Sequence, residues 1–276
     1  VFPGEAHEPV GELEVVGPAG KVVGYQYWED DEGIRYFFDN VLLNYTQARI
    51  VGMADPLATA YVLTGKKAYA HKAAVILDRI AEVYPNYPVH GLGTYYASAD
   101  RRGFYENQFF KDPPFPFVSA RMGNYHASPF SDASRAYGFS QIYDMISDSG
   151  TIEDLSTHLG RDVRKAIEQD LLYEAIRHTL EIPHRATNYD GGRLKGLGLV
   201  GRMLDEPECV HQAYQLFQAL IDNCYLYDGY WAEDTLNYFA MITRGVVSIP
   251  EVLSGPGGID VYGEMPYLKQ IYNAPM

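Results

Sequence analysis

Two short stretches of this chain place chemically useful side chains side by side. Ala186-Thr187-Asn188-Tyr189-Asp190-Gly191 offers an amide, a phenol and a carboxylate in consecutive positions. Asp228-Gly229-Tyr230-Trp231-Ala232-Glu233-Asp234-Thr235-Leu236-Asn237-Tyr238 gathers aromatic rings and acids just before and into an expected helix. An amide aimed into a cleft can grip a carboxylate, phenols and carboxyl groups can move protons, and aromatic faces suit a sugar-binding groove. Asn and Asp also accept hydrogen bonds from the free N–H groups at helix starts, so capping accounts for both stretches as well. Aromatic and acidic groups this dense at one loop–helix junction exceed what a cap needs.

Other kinds of chemistry have little support. No His/Cys/Asp/Glu group has metal-ligand spacing, and His178 and His184, six residues apart, do not share a helix face. No glycine-rich phosphate loop is present, and no cofactor is implied. With 22 basic and 36 acidic residues the formal charge is −14, which disfavours nucleic acid as a partner. The longest apolar runs are far short of a membrane span. Cys209 and Cys224, if carried by one helix, stand about 22 Å apart, too far for a disulfide, so they do not fix the compartment. The chain begins at Val1 and reads as mature or trimmed, with any leader already absent. The 24 tyrosines suit either a groove for sugars or packing between helices.

The elements that must position these residues follow from periodicity. Residues 1–40 carry Gly4, Gly11, Gly17 and Gly20 between β-rich stretches such as Glu14-Val15-Val16 and Val22-Val23-Gly24-Tyr25, which predicts an extended N-terminal segment. Residues 41–276 read as one helical domain. Tyr69, Ala73, Ile76, Leu77, Ile80 and Val83 recur at helical spacing and end before Pro85, after a helix that Gly65 can cap. Residues 84–129 are rich in Pro, Gly and aromatics with little period, as in functional loops. Helices are predicted at about 130–146, 161–180, 190–204, 207–224, 234–246 and 265–273, with a turn at Gly255, Gly257 and Gly258. Repeated helix pairs without a strict sequence repeat favour an α/α toroid over an open solenoid. The fold class is therefore mainly α, with a short β-rich N-terminal segment.

Three stretches together resemble the heparinase II/III-like superfamily of polysaccharide lyases over residues 40–250. Leu57-Ala58-Thr59-Ala60-Tyr61-Val62-Leu63-Thr64-Gly65-Lys66-Lys67-Ala68-Tyr69-Ala70, continuing to Tyr84-Pro85, is similar to the family's early helix pair. The Asn188 stretch is similar to its asparagine-bearing loop, and Asp228 through Tyr238 to the loop and helix carrying a catalytic tyrosine. The resemblance implies an incomplete (α/α) toroid, normally followed by an antiparallel β-sandwich, in a secreted or periplasmic enzyme. It implies β-elimination on an acidic, uronic-acid-containing polysaccharide. Asn188 would neutralise the C6 carboxylate, so that charge developing at C5 can spread onto it. Tyr238 would take the C5 proton, with Tyr230 as the neighbouring alternative. A phenol ordinarily titrates near 10, so positive charge must lie close, and Arg135, Arg185 and Arg193 are the candidates. Tyr189, Tyr230 and Trp231 would line the substrate. Tyr189 stands where the family frequently has His, and the chain ends at Met276, before a sandwich that often supplies a second histidine; His126 and His184 are the local substitutes. The acidic balance opposes a polyanion at long range, but salt screens that field beyond about 10 Å.

Two other classes remain open. A glycoside hydrolase on a similar toroid would use paired carboxylates, with Asp190, Glu233 and Asp234 as candidates. A non-catalytic sugar-binding module would keep the aromatic surface without proton transfer. A lyase product carries a C4–C5 double bond that absorbs in the ultraviolet, which separates the first reading from both others.

Overall fold

In the computed structural model, which describes residues 8–16, 22–86, 90–91, 119–120, 131–180, 190–233, 235–254 and 259–274, the N-terminal stretch forms a three-stranded antiparallel sheet. Strand β1 (Gly11–Val16) pairs with β2 (Val22–Glu29), from Gly11 opposite Tyr27 to Val16 opposite Val22. β2 continues through a tight turn into β3 (Arg35–Tyr36). Asp30 fixes that turn by accepting from the backbone N–H groups of Glu32 and Ile34 at 3.0 and 2.8 Å, while the Tyr36 hydroxyl donates to its other oxygen. Two-residue strands β4 (His90–Gly91) and β5 (Ser119–Ala120) pair within the stretch read as a loop.

The remaining named elements are helices. Helix α1 (Phe38–Gly52) starts a few residues before the sequence boundary, because Phe38 docks edge-on against Trp28 of β2. α2 (Ala54–Thr64) ends as expected at Gly65, whose φ of 67° is the left-handed conformation glycine adopts without a Cβ penalty. α3 (Lys67–Val83) follows at once and ends before Pro85. Its buried face is Ala70, Ala73, Ala74, Leu77, Ile80 and Ala81, while Tyr69, Ile76 and Val83 flank it half-buried. The alanines win the centre because they let α2 and other neighbouring helices approach closely.

α4 (Ser131–Ser147) and α5 (Thr151–Leu159) come next. The second was not anticipated; its apolar face is only Ile152 and Leu155 within nine residues, too short a run to show a period. The run 163–180, here α6, opens with an α turn (Val163–Lys165), passes into a π-helix (Ala166–Tyr173) and closes as α-helix (Glu174–Leu180). Val163, Ile167, Leu171 and Ala175 are all fully buried. A strict four-residue step overshoots the 3.6-residue turn of an α-helix, and the looser π winding takes up the difference.

The core is organised around α7 (Asp190–Met203), which packs on α4, α8 (Pro207–Cys224), α9 (Leu236–Val246) and α10 (Ile249–Leu253). Short helices α11 (Val261–Glu264) and α12 (Leu268–Asn273) close the chain. Cys209 and Cys224 both lie on α8 as free thiols. α4 and α7 run side by side in the same direction: Ser134 faces Gly192 near their starts, and Asp144 and Arg202 flank one groove near their ends.

Glycine makes this contact possible. A Cβ on Gly196 would fall within the van der Waals radius of the Ala133 carbonyl oxygen. Gly196→Ala is therefore expected to destabilise the protein by about 1–3 kcal/mol. At an unconstrained helix position the same change would stabilise by up to about 1 kcal/mol. Urea unfolding reads the sign directly, and a stabilised variant would show that the helices do not approach this closely.

Candidate functional site

The segment from the end of α8 to the start of α9 folds into a tight, hydrogen-bonded loop. The backbone N–H of Leu226 donates to Tyr230 O at 2.7 Å and that of Ala232 to Cys224 O at 2.9 Å, with Tyr225 and Trp231 bridged between them. Gly229 turns the chain at φ 85°, and a Cβ there would lie 2.5 Å from the backbone oxygen of Gln270. Trp231 is 3% exposed, packs edge-on against Tyr225 with ring centroids 5.2 Å apart, and donates its indole N–H to Glu233 at 2.7 Å. Half-buried Tyr230 stacks on Phe239 at 4.5 Å. Thr235 caps α9, its hydroxyl accepting from the backbone N–H of Tyr238 at 3.2 Å. Tyr238 therefore sits on the first turn of α9, 40% exposed, and its hydroxyl has no partner among the described residues.

The start of α7 is charged and sealed. Asp190 and Arg193 are 0% and 1% exposed, with Oδ1 and Nη1 3.6 Å apart. Burial pulls the guanidinium's pKa down, and the Asp190 charge opposes that shift. A Cβ on Gly191 would meet the backbone of Gly245 on α9 at 3.1 Å, and one on Gly192 would strike the Ser134 side chain on α4. The Cys224 thiol is pushed up first by burial, then by the nearby carboxylates of Asp190 and Glu233. The starts of α4 and α7, the end of α8 and the inner face of α9 thus meet in one place.

Of the sequence-based assignments, Arg193 lies in this assembly, Tyr230 and Trp231 belong to the loop after α8, Tyr238 stands in the first turn of α9, at the opposite end of that helix from Gly245, and Arg135 follows Ser134 on α4. Arg193 is enclosed with Asp190 and Trp231 is packed beneath the loop, so neither presents a surface for substrate. Arg135, next to Ser134, is half-buried and has no ion pair among the described residues. Asn188, Tyr189, His126, His184 and Arg185 lie outside the described residues, as do Asp234 and the expected Gly255–Gly258 turn. Of the carboxylates proposed for hydrolysis, Asp190 is buried and ion-paired, and Glu233 accepts from Trp231.

Several tyrosines are held by carboxylates instead, which sequence reasoning did not foresee. Tyr143 donates to Glu168 and accepts from Arg164 at 2.6 Å, and Arg164 continues to Glu153. Tyr214 donates to Glu264 at 2.5 Å and Tyr262 to Glu251 at 2.8 Å. Burial first, and then these hydrogen bonds, joined at Tyr262 by one with Tyr272 that outranks Glu251, hold all three phenols well above the ordinary tyrosine range. The Asp78–Arg161 ion pair at 2.6 Å was also missed. Its one signal is an acid at position 78, within the alanine-rich buried face of α3.

Tyr225 makes these shifts measurable. It is 7% exposed, and burial pushes its pKa up to about 12. Because the folded value is raised, its contribution to stability is complete below the unfolded value near 10 and is lost as pH rises through about 12. Over that window the unfolding free energy should fall with pH, and Tyr225→Phe should flatten the slope by up to about 1.4 kcal/mol per pH unit. Urea titrations at stepped alkaline pH decide it, and an unchanged slope in the variant would assign the effect elsewhere.

A second feature lies along the facing α4 and α7 toward their C-terminal ends. A groove of about 1030 Å³ runs between the later turns of α4 and α7, the start of α8, and α10. None of the candidate site residues lines it. It is rimmed by Asp144, Asp205, Glu206 and Glu251, an arrangement that repels polyanions. No group of three or more His, Cys, Asp or Glu among the described residues could hold a metal ion, and no helix there is long and apolar enough to cross a membrane. Compared with known proteins, the chain matches no protein-family model and no curated protein.

Proposed function

We propose that this chain is the helical, substrate-cleft part of a polysaccharide lyase that cleaves uronic-acid-containing glycans by β-elimination. The observation that carries the reading is the junction of α7 with α9. Asn188 lies two residues before α7 in the sequence, Tyr238 lies in the first turn of α9, and the start of α7 touches that same helix at Gly245 in its last turn. Two segments about fifty residues apart, each chosen for its chemistry, thereby lead into packed elements.

Tyr238 is the better base of the two tyrosines in its segment. Its side chain belongs to a residue 40% exposed and its hydroxyl is unengaged among the described residues, whereas Tyr230 is half-buried and stacked on Phe239. Tyr143, Tyr214 and Tyr262 are disfavoured, because a phenol donating to a glutamate resists ionisation. Arg135, half-buried on α4, is the candidate positive charge in this reading, Asn188 neutralises the C6 carboxylate, and His126 or His184 assists protonation of the leaving O4. The parallel pair α4 and α7, separated in sequence by α5 and α6, is compatible with an incomplete (α/α) toroid. A C-terminal β-sandwich in the full-length protein and a secreted or periplasmic location belong to the same proposal.

The test is incubation of the protein with a panel of uronic-acid-containing polysaccharides while following ultraviolet absorbance and new reducing ends. A lyase raises both together. Reducing ends without absorbance would replace elimination by hydrolysis, and binding without either would leave a sugar-binding module.

A further inference from the structure

We propose that the acidic groove between α4, α7, α8 and α10 binds a short basic and apolar segment of a partner polypeptide. Its floor is formed by half-buried Met145, Leu199, Met203 and Val252, surface that gains by being covered. Its rim carries Asp144 on α4, Asp205 and Glu206 in the turn between α7 and α8, and Glu251 on α10. Against these four carboxylates stand Arg202 and His211. Arg202 directs one guanidinium nitrogen into the wall, donating to Val252 O and Ser254 O at 2.9 Å each, and the His211 ring is hydrogen-bonded to Gln215 at 2.9 Å. Charge complementarity therefore selects a cation, and the apolar floor selects one with apolar bulk beside its charge.

Size selects a polypeptide over a small amine. A volume of about 1030 Å³ lies at the top of the range for small-molecule clefts. A slender aliphatic polyamine would satisfy the carboxylates and leave most of the floor wet. The α4 wall from Tyr137 to Met145 is about 12 Å long at 1.5 Å per residue, the span of about four extended residues. Lysine or arginine at the ends of such a segment, with apolar residues between them, meets both rim and floor. The groove repels polyanions, so this proposal stands whether or not the chain is a lyase.

The probe is a fluorescein-labelled peptide Lys-Leu-Leu-Lys, titrated with the intact protein and followed by fluorescence anisotropy. Saturable one-to-one binding is expected, with none for the matching Glu-Leu-Leu-Glu peptide. Asp144→Asn combined with Glu251→Gln should weaken binding about tenfold or more, and Met203→Ser should weaken it a further few-fold. Glu32→Gln combined with Asp55→Asn makes the same change in net charge far from the groove and should leave the affinity within about twofold. Circular dichroism and melting temperature confirm that every variant is folded. Absence of saturable binding would overturn the proposal, and so would equal losses from the groove and remote pairs, which would mean bulk charge alone. Displacement of the peptide by spermine at equally low concentration would overturn the polypeptide occupant.

Discussion

Tyr238→Phe is expected to lower formation of the ultraviolet-absorbing unsaturated product by roughly 10²–10⁴-fold, the usual loss when a general base or acid is removed. Melting temperature should barely change, since the residue is 40% exposed and its hydroxyl makes no hydrogen bond among the described residues. The backbone N–H of Tyr238 still reaches Thr235, so the cap on α9 survives the substitution. Tyr230→Phe is the paired control: its ring keeps the stack on Phe239, and the reaction should continue. A dead Tyr230 variant beside an active Tyr238 variant would move the proton transfer to Tyr230. Normal turnover in both would remove tyrosine-based elimination from this segment. Asn188→Ala belongs in the same series, where a fall in kcat rather than a rise in KM would mark an interaction that strengthens in the transition state.

Arg193→Met should cost stability on a comparable energetic scale. The substitution keeps the length and apolar bulk of the side chain and takes the guanidinium away from an Asp190 carboxylate that is 0% exposed. Breaking a buried ion pair from one side typically destabilises by about 3–5 kcal/mol, which in a chain of this size lowers the melting temperature by roughly 10 °C. Asp190→Asn added to Arg193→Met should recover part of the loss, because the buried charge that lost its guanidinium is then gone. A single variant within about 1 kcal/mol of the parent would show that Arg193 is not what holds the buried Asp190 side chain. The pair also bears on the proposed site. It anchors the start of α7, against which α4 and α9 each pack, so its loss should reduce turnover through the fold of that junction as well as through stability.

The local signals in the sequence were those fixed by short-range chemistry. Gly65 ended α2 in the left-handed conformation that glycine adopts freely, and Pro85 bounded α3. The β-rich stretches around Glu14–Val16 and Val22–Tyr25 marked strands for the same reason, since β-branched side chains act on their own backbone. Mainly helical architecture and the boundaries of α7 and α8 followed from periodicity that is contained within each helix.

Only tertiary structure decided which residues of those helices face one another. The glycines of α7 look like weak helix formers in sequence, yet Gly191, Gly192 and Gly196 are where three backbones or side chains press against one helix. Arg193 offered a charge to a cleft in sequence, and long-range packing enclosed it with Asp190 instead. Trp231 was likewise drawn under its loop by Tyr225 and Glu233. The glutamates that hold Tyr143 and Tyr214 are 25 and 50 residues away, and the partner of Asp78 is 83 residues away. Such pairings depend on how helices are stacked, which no local window encodes. The acidic groove has the same origin: its four rim carboxylates come from two helices and the turn between two others, and only the packing of α4 and α7 in one direction brings them around a shared floor.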